Sequence, residues 1–215
     1  MTGTATRYLY LARHGEAQAP AEADADADDA VLTENGRRQA QLLGRRLRER
    51  PLSAIHHGPL PRAAETARLI GDQLGDVPLR VAETAGDYVP HFPDRTELPP
   101  DGADTFLRFL EPCTAEERVQ GPELARQALE AYTGPVAGDE DVHELVVTHN
   151  FLVAWLVRHA MAAPEWRWLG LHHGNASLTV IRYCPDRPAS VLVCNDMRHL
   201  PDELCWTGFP PDLRC

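Results

Sequence analysis

Two histidines and two arginines, each placed just after a short apolar run or a turn, give this chain its chemistry. His14 follows Tyr8 to Ala12 and is preceded by Arg13, while His149 follows Leu145-Val146-Val147-Thr148. Short apolar runs closed by a turn read as buried strands. Loops leaving the C-terminal ends of parallel strands expose backbone N–H groups and aim side chains into one crevice, so both histidines are expected at a ligand-binding edge. Arg62 follows a third strand-like segment, Leu52 to His56. A phosphate dianion needs converging cations and oriented donors, and a guanidinium fork fits its oxygens two at a time. Arg13 and Arg62 supply the forks. A neutral His14 can attack phosphorus in line, which splits transfer into formation and hydrolysis of a phosphohistidine. His149 would donate to the equatorial oxygens, where charge accumulates. The leaving oxygen needs a proton, the task of a carboxylic acid. No metal and no cofactor enters this scheme.

The elements that must position these groups alternate along the chain. A strand over Tyr8 to Ala12 precedes a helix capped by Thr33, with Ala40, Leu43, Gly44 and Leu47 on one face. A strand near Ser53 to His57 leads into a helix from Arg62 to about Leu74, ended by Gly75-Asp76. Leu79 to Ala82 is a weak strand, and Gly86 to Gly102, rich in proline, is a long loop of the kind that is usually functional. Helices are expected over Ala103 to Leu110 and Ala115 to Tyr132, then a strand over Glu144 to Thr148 and a helix over Phe151 to Met161. Ser177 to Tyr183 and Val191 to Asn195 alternate around Pro185-Asp186 as a closing hairpin. The fold class is therefore α/β: a three-layer α/β/α sandwich with a mainly parallel central sheet and an edge hairpin. One domain is expected over 1–215, with a helical and loop cap at about 86–132.

The totals exclude several function classes. The 21 basic and 32 acidic residues give a net charge of −11, and no Lys/Arg cluster lies beside an aromatic row, so neither nucleic acid nor a membrane is an expected partner. No apolar stretch approaches the roughly 20 residues of a membrane helix, and Met1 to Arg7 lacks the regions of a signal peptide, so the expected location is cytoplasmic. Five cysteines without a C-x-x-C pair suit a reduced state; Cys184 and Cys194 flank the hairpin. The carboxylate-rich tract Glu22 to Asp29 reads as a solvated loop, because it lacks the glycine and terminal glutamate of a calcium loop. His56-His57 and His172-His173 do not chelate one zinc, since adjacent strand residues point to opposite faces.

The ordered set Arg13-His14-Gly15-Glu16, Arg62 within His57 to Ala67, and His149 resembles the histidine phosphatase superfamily, the phosphoglycerate mutase-like group. Leu32-Thr33-x-x-Gly36-x-x-Gln39-Ala40 and the segment Asn195-Asp196 to His199-Leu200 extend the resemblance over nearly the whole chain. Within the superfamily the chain is most similar to the mitochondrial serine/threonine protein phosphatase branch, through the Asp87-to-Pro93 loop, the helix from Phe151, and Trp166-x-x-Leu169 leading to Gly174 to Thr179. The resemblance implies His14 as nucleophile, Arg13 and Arg62 as phosphate clamp, His149 as second pocket histidine, and Glu16 as the acidic residue closing the first motif. His173 is expected as a supporting contact. The family acid is normally glutamate; the matching position here is Asp87, followed by Tyr88, with Glu83 as the alternative acid. The asparagine and the long basic insertion of the mutases are not evident, which favours a phosphomonoester hydrolase acting on a small phosphometabolite or a phosphorylated protein side chain. The rivals are a phosphoglycerate-type mutase and a catalytically weak scaffold that binds a phosphorylated ligand. The oligomeric state stays open.

Overall fold

A computed structural model describes residues 4–18, 27–210 and 214. Its strands and helices, in chain order, are β1 (Arg7–Arg13), β2 (Ala17–Gln18), β3 (Val31–Leu32), α1 (Glu34–Leu47), β4 (Ala54–His57), α2 (Pro61–Gly71), β5 (Leu79–Val81), α3 (Ala103–Leu110), α4 (Glu117–Tyr132), β6 (Val142–Thr148), α5 (Asn150–Ala160), β7 (Leu178–Cys184) and β8 (Arg187–Asp196). The main sheet runs β5-β4-β6-β1-β7-β8. Its first four strands are mutually parallel, and β7 and β8 are antiparallel. This is the mainly parallel sheet with an antiparallel edge hairpin that the sequence pattern predicts.

Strand alternation divides the core into two layers. Leu9 and Leu11 of β1 and Val146 of β6 join Ala125, Ala128, Leu152, Val153 and Leu156 on one face. Tyr10, Ala12, Leu145 and Val147 point the other way and meet Leu43, Leu47, Ala67 and Ile70 of α1 and α2. Because successive side chains of a strand face opposite sides, an uninterrupted apolar run such as Leu9 to Ala12 must be covered by helices on both faces. Within the segment 86–132, α4 lies in the same layer as α5, and Leu98, Ala103 and Leu110 continue that cluster.

Caps and turns set the boundaries. The Thr33 side chain accepts the Gly36 N–H and starts α1, as expected of an N-cap. Pro61 opens α2, where its missing N–H is no loss; the helix ends at Gly71, earlier than the expected Leu74, and the chain reverses through Gly75 at φ 80°. The loop expected over 86–102 contains a helical turn at Arg95–Glu97, closed by a capping box with Asp94. β8 begins at Arg187, before the expected Val191, and carries irregular register against β7. Its exposed, bulged edge weakens the alternation by which its length was to be read. Cys184 pairs with Arg187 near the turn, whereas Cys194 lies near the opposite end of the hairpin beside Thr179; Cys113, Cys184, Cys194 and Cys205 are all free thiols. Cys215 and most of the acidic tract 22–29 lie outside the described residues.

Candidate active site

The parallel strands extend their register by one residue into the loops. The His14 N–H donates to Thr148 O at 2.9 Å, Gly58 N–H to Val147 O at 3.1 Å and Ala82 N–H to His57 O at 2.9 Å. The loops after β1, β4, β5 and β6 therefore leave one edge together. Two glycines allow the first of these loops to lie against the start of α1: a Cβ on Gly15 would strike the Gly36 carbonyl, and one on Gly36 the Glu16 carbonyl. Around them Thr66 accepts the Gly15 N–H at 3.1 Å and donates to the Arg62 carbonyl at 2.7 Å, while Gln39 Oε1 accepts the Glu16 N–H at 2.8 Å. The backbone around His14 is thus bonded to side chains in the second turns of both α1 and α2.

Five of the predicted residues converge at this edge. The rings of His14 and His149 lie 5.0 Å apart. Arg62, in the first turn of α2, donates from Nη2 to Asp87 Oδ2 at 2.9 Å, and the same oxygen is 3.3 Å from His149 Nδ1. Arg13 donates from Nη1 to the His173 carbonyl at 2.8 Å, and its guanidinium lies 5.1 Å from the centre of the Phe209 ring. Arg62 Nη1 also reaches the Asp28 carbonyl at 3.4 Å, so the described end of the acidic tract touches the site.

The His14 ring has a defined tautomer. Its Nδ1 lies 2.7 Å from Gly15 O. A carbonyl only accepts, so Nδ1 carries the hydrogen and Nε2 keeps its lone pair. Burial, then the charge of Arg13 and the neighbouring His149, hold His14 well below the usual imidazole range. Burial and the charges of Arg62 and Arg13 hold His149 down to about 3. Burial, followed by Arg13, does the same to His173, also to about 3. Arg13 itself is lowered to about 10 by burial, an effect that Asp87 opposes. Among the described residues two guanidiniums and neutral imidazoles gather around the Asp87 carboxylate.

The other predicted residues take different places. Glu16 touches neither His14 nor Arg62: its Oε1 accepts from the Thr33 hydroxyl at 2.6 Å, which ties the first motif to the cap of α1. Glu83 is exposed on the helical turn Glu83–Ala85, and among the described residues its side chain has no hydrogen-bond or ion-pair partner. His173 is buried, its N–H donating to Asn150 Oδ1 at 2.8 Å. Asn150, Thr66 and Gln39 were not assigned from the sequence. Asn150 was detectable as the neighbour of His149, and Gln39 as a buried amide on the apolar face of α1. His56 faces Glu144 and Tyr132, whereas His57 turns its Nδ1 to Gly58 O. Among the described residues no group of three or more His, Cys, Asp or Glu could hold a metal ion. A cleft of about 570 Å³ beside Arg95, Asp104, Arg108 and Arg118 includes none of the convergent residues.

This sheet with its C-terminal-edge site defines a phosphoglycerate mutase-like α/β protein. The phosphoglycerate mutase of Plasmodium falciparum is similar in fold, with a TM-score of 0.59 at 20% identity over 93% of this chain and 96% of that one. The chain belongs to the histidine phosphatase superfamily (branch 1), whose family model matches residues 9–196. Among its relatives is the serine/threonine-protein phosphatase Pgam5, mitochondrial, of Caenorhabditis briggsae, 29% identical over 208 residues covering 95% of this chain and 68% of the relative. The protein of the same name from Caenorhabditis elegans is 30% identical over 200 residues, covering 92% of this chain and 66% of the relative. The chain spans about two thirds of the length of these relatives. Phosphatase-named relatives and the family match support a phosphatase enzyme. The expected cytoplasmic location is corrected by the same finding, because these relatives are named as mitochondrial proteins and point to that compartment instead. A start without a readable signal carried that expectation, and composition says little about compartment. No helix among the described residues is long and apolar enough to cross a membrane.

Proposed function

We propose that this protein hydrolyses phosphomonoesters through a covalent phosphohistidine on His14, without a metal ion. The observation that carries this reading is the convergence of His14, with Nε2 unprotonated, on buried Arg62, half-buried Arg13 and a second neutral imidazole. Arg13 and Arg62 grip the phosphoryl oxygens, and His149 donates its one N–H as charge builds on them. His14 Nε2 attacks phosphorus, the ester P–O bond breaks, and the alcohol oxygen takes a proton from Asp87. Water then attacks the phosphohistidine, giving its proton to Asp87 and releasing phosphate and His14.

Asp87 is favoured over Glu83 because it alone of the two touches Arg62 and faces His149. An arriving dianion competes for Arg62 and sets negative charge beside the carboxylate, which favours the carboxylic acid that the first step needs. Glu16 and His173 serve as supports, holding Thr33 and Arg13 respectively. The chain is read as one domain over 1–215, with the segment about 86–132, which starts at Asp87, as wall and cap of the site. Substrates are small phosphorylated molecules or phosphorylated protein side chains.

The test is phosphate release from phosphometabolites and phosphopeptides with EDTA present. The expected result is release by the wild type and less than about 1% of it by a folded His14→Ala variant, since the nucleophile contributes several powers of ten. Tight binding of one phosphorylated ligand without release would instead establish a scaffold. Release that depends on a bisphosphate primer, with transfer to a second alcohol, would establish a mutase.

A further inference from the structure

Beside the phosphate site lies a second cavity that the reaction as described does not use. It has a volume of about 220 Å³ and is lined by Phe106 and Phe109 of α3, Asn150 and Phe151 of α5, and Trp168 and Leu171 of the following loop. Its lining includes no carboxylate, lysine or arginine, and His172 is the one imidazole at it. The walls are rigid: Phe109 and Phe151 meet edge to face at 5.9 Å, and Phe151 and Trp168 at 5.0 Å. The Trp168 indole N–H donates to the His91 carbonyl at 3.2 Å, which fixes the ring.

The cavity and the phosphate site share a wall. Asn150 follows His149 in the chain; its Nδ2 donates to Leu171 O at 3.2 Å and its Oδ1 accepts the His173 N–H at 2.8 Å. His173 in turn offers its carbonyl to Arg13. A group held by Arg13 and His149 is thus one side chain away from the apolar walls. The volume falls below the roughly 300 Å³ at which whole-ligand pockets begin, so the cavity suits one ring or branched chain rather than a complete ligand.

We propose that this cavity is the subsite for the alcohol portion of the ester, and that it selects phosphomonoesters whose alcohol carries an aromatic or branched apolar group. The proposal rests on the phosphomonoesterase reading above. Binding energy from the remote apolar group acts on kcat/KM without touching the reacting atoms.

The test compares 2-phenylethyl phosphate with ethyl phosphate, two primary alkyl esters that differ in the ring. Wild type is expected to show a kcat/KM roughly 10- to 100-fold higher for the phenylethyl ester, the range for burying one phenyl group. Thr105→Trp, on the exposed rim of α3, fills the cavity and is expected to bring the ratio close to one. Phe109→Ala, also at an exposed position, removes a wall and is expected to lower the ratio about threefold or more. Equal kcat/KM values in the wild type, or an undiminished ratio in Thr105→Trp, would overturn the subsite while leaving the phosphatase reading intact. Failure to hydrolyse either ester, by protein that gives a normal unfolding transition, would overturn the phosphatase reading and the subsite with it. A pair of phosphoserine dipeptides, ending in Phe or Gly, separates the sources of the apolar group: a preference for Phe assigns it to a peptide, and a preference confined to the free esters assigns it to a small molecule.

Discussion

The sheet carries two clusters of partly buried charge, and they are built differently. On the α4 side, Glu144 of β6 lies between a guanidinium and an imidazole, with Arg7 Nε at 3.7 Å and His56 Nε2 at 3.5 Å. The His56 contact and Arg7 hold the Glu144 carboxyl below its usual range in spite of burial. At the C-terminal edge, Arg13 and Arg62 share one carboxylate, that of Asp87, among the described residues, and the imidazoles between them are held neutral. Buried charges that are paired act on stability, and removing one partner strands the other. A cluster with more positive than negative charge is less stable by itself and gains when an anion enters. On this reading the first cluster serves the fold and the second serves the proposed reaction with phosphate.

Opposite substitutions should separate the two. Arg62→Ala is expected to lower kcat/KM for phosphomonoesters by roughly 10²- to 10³-fold, the loss of a two-point grip on developing charge. It should change the unfolding midpoint little, because it also relieves repulsion from Arg13. Glu144→Ala is expected to do the reverse, destabilising the protein by about 2–4 kcal/mol by stranding Arg7 and His56, with activity of the folded enzyme within about threefold of wild type. Chemical denaturation and steady-state phosphate release read both effects. A Glu144→Ala enzyme that is stable but inactive would show that the first cluster also serves the reaction.

Asp87 sharpens the contrast, since among the described residues it is the carboxylate that pairs with Arg62. Asp87→Asn is expected to slow alkyl phosphates at least about tenfold more than p-nitrophenyl phosphate, whose leaving group needs little protonation. Equal losses on both substrates would remove Asp87 from the proton-transfer role and leave it as an anchor for Arg62.

The residues proposed to react were legible as a set because each follows a segment whose apolar pattern fixes where it ends. His14 and His149 come directly after β1 and β6, and Arg62 after the proline that opens α2. The acid was ambiguous between Asp87 and Glu83 because both flank one turn, and only the helical winding of Glu83–Ala85 directs Glu83 away from the site. Glu16 was readable as the acid closing the first motif, but its contact with Thr33 was not, since that contact depends on how the first loop meets α1. Asn150, Thr66 and Gln39 bond backbone groups of other segments, and such contacts leave no periodicity in the sequence. The aromatic cavity was invisible for the same reason. Phe106, Phe109, Phe151 and Trp168 lie on separate segments, and only the packing of α3 against α5 and the turn after it gathers them.

The smallest expected effect is on the pH dependence of stability, where the site has a consequence that the paired cluster lacks. His149 and His173 are held near 3 in the folded protein, whereas an unfolded histidine titrates near 6.5. Between these values the unfolded chain binds more protons than the folded one, so stability rises with pH. It is fully present above about pH 6.5 and is lost as the pH falls toward 3, at up to about 1.4 kcal/mol per pH unit for each histidine. His14, also lowered, adds in the same direction. Unfolding free energies measured between pH 7 and 5 should therefore fall on acidification, above the range in which exposed carboxylates titrate. His173→Asn, which replaces a residue outside the proposed chemistry, should reduce the slope by the share of one histidine. A saturating phosphate analogue should also reduce it, by favouring protonated imidazoles next to its charge. A slope unchanged by both would mean that these rings keep ordinary protonation in the folded protein, and the unequal charge of the two clusters would then have to reside in the arginines alone.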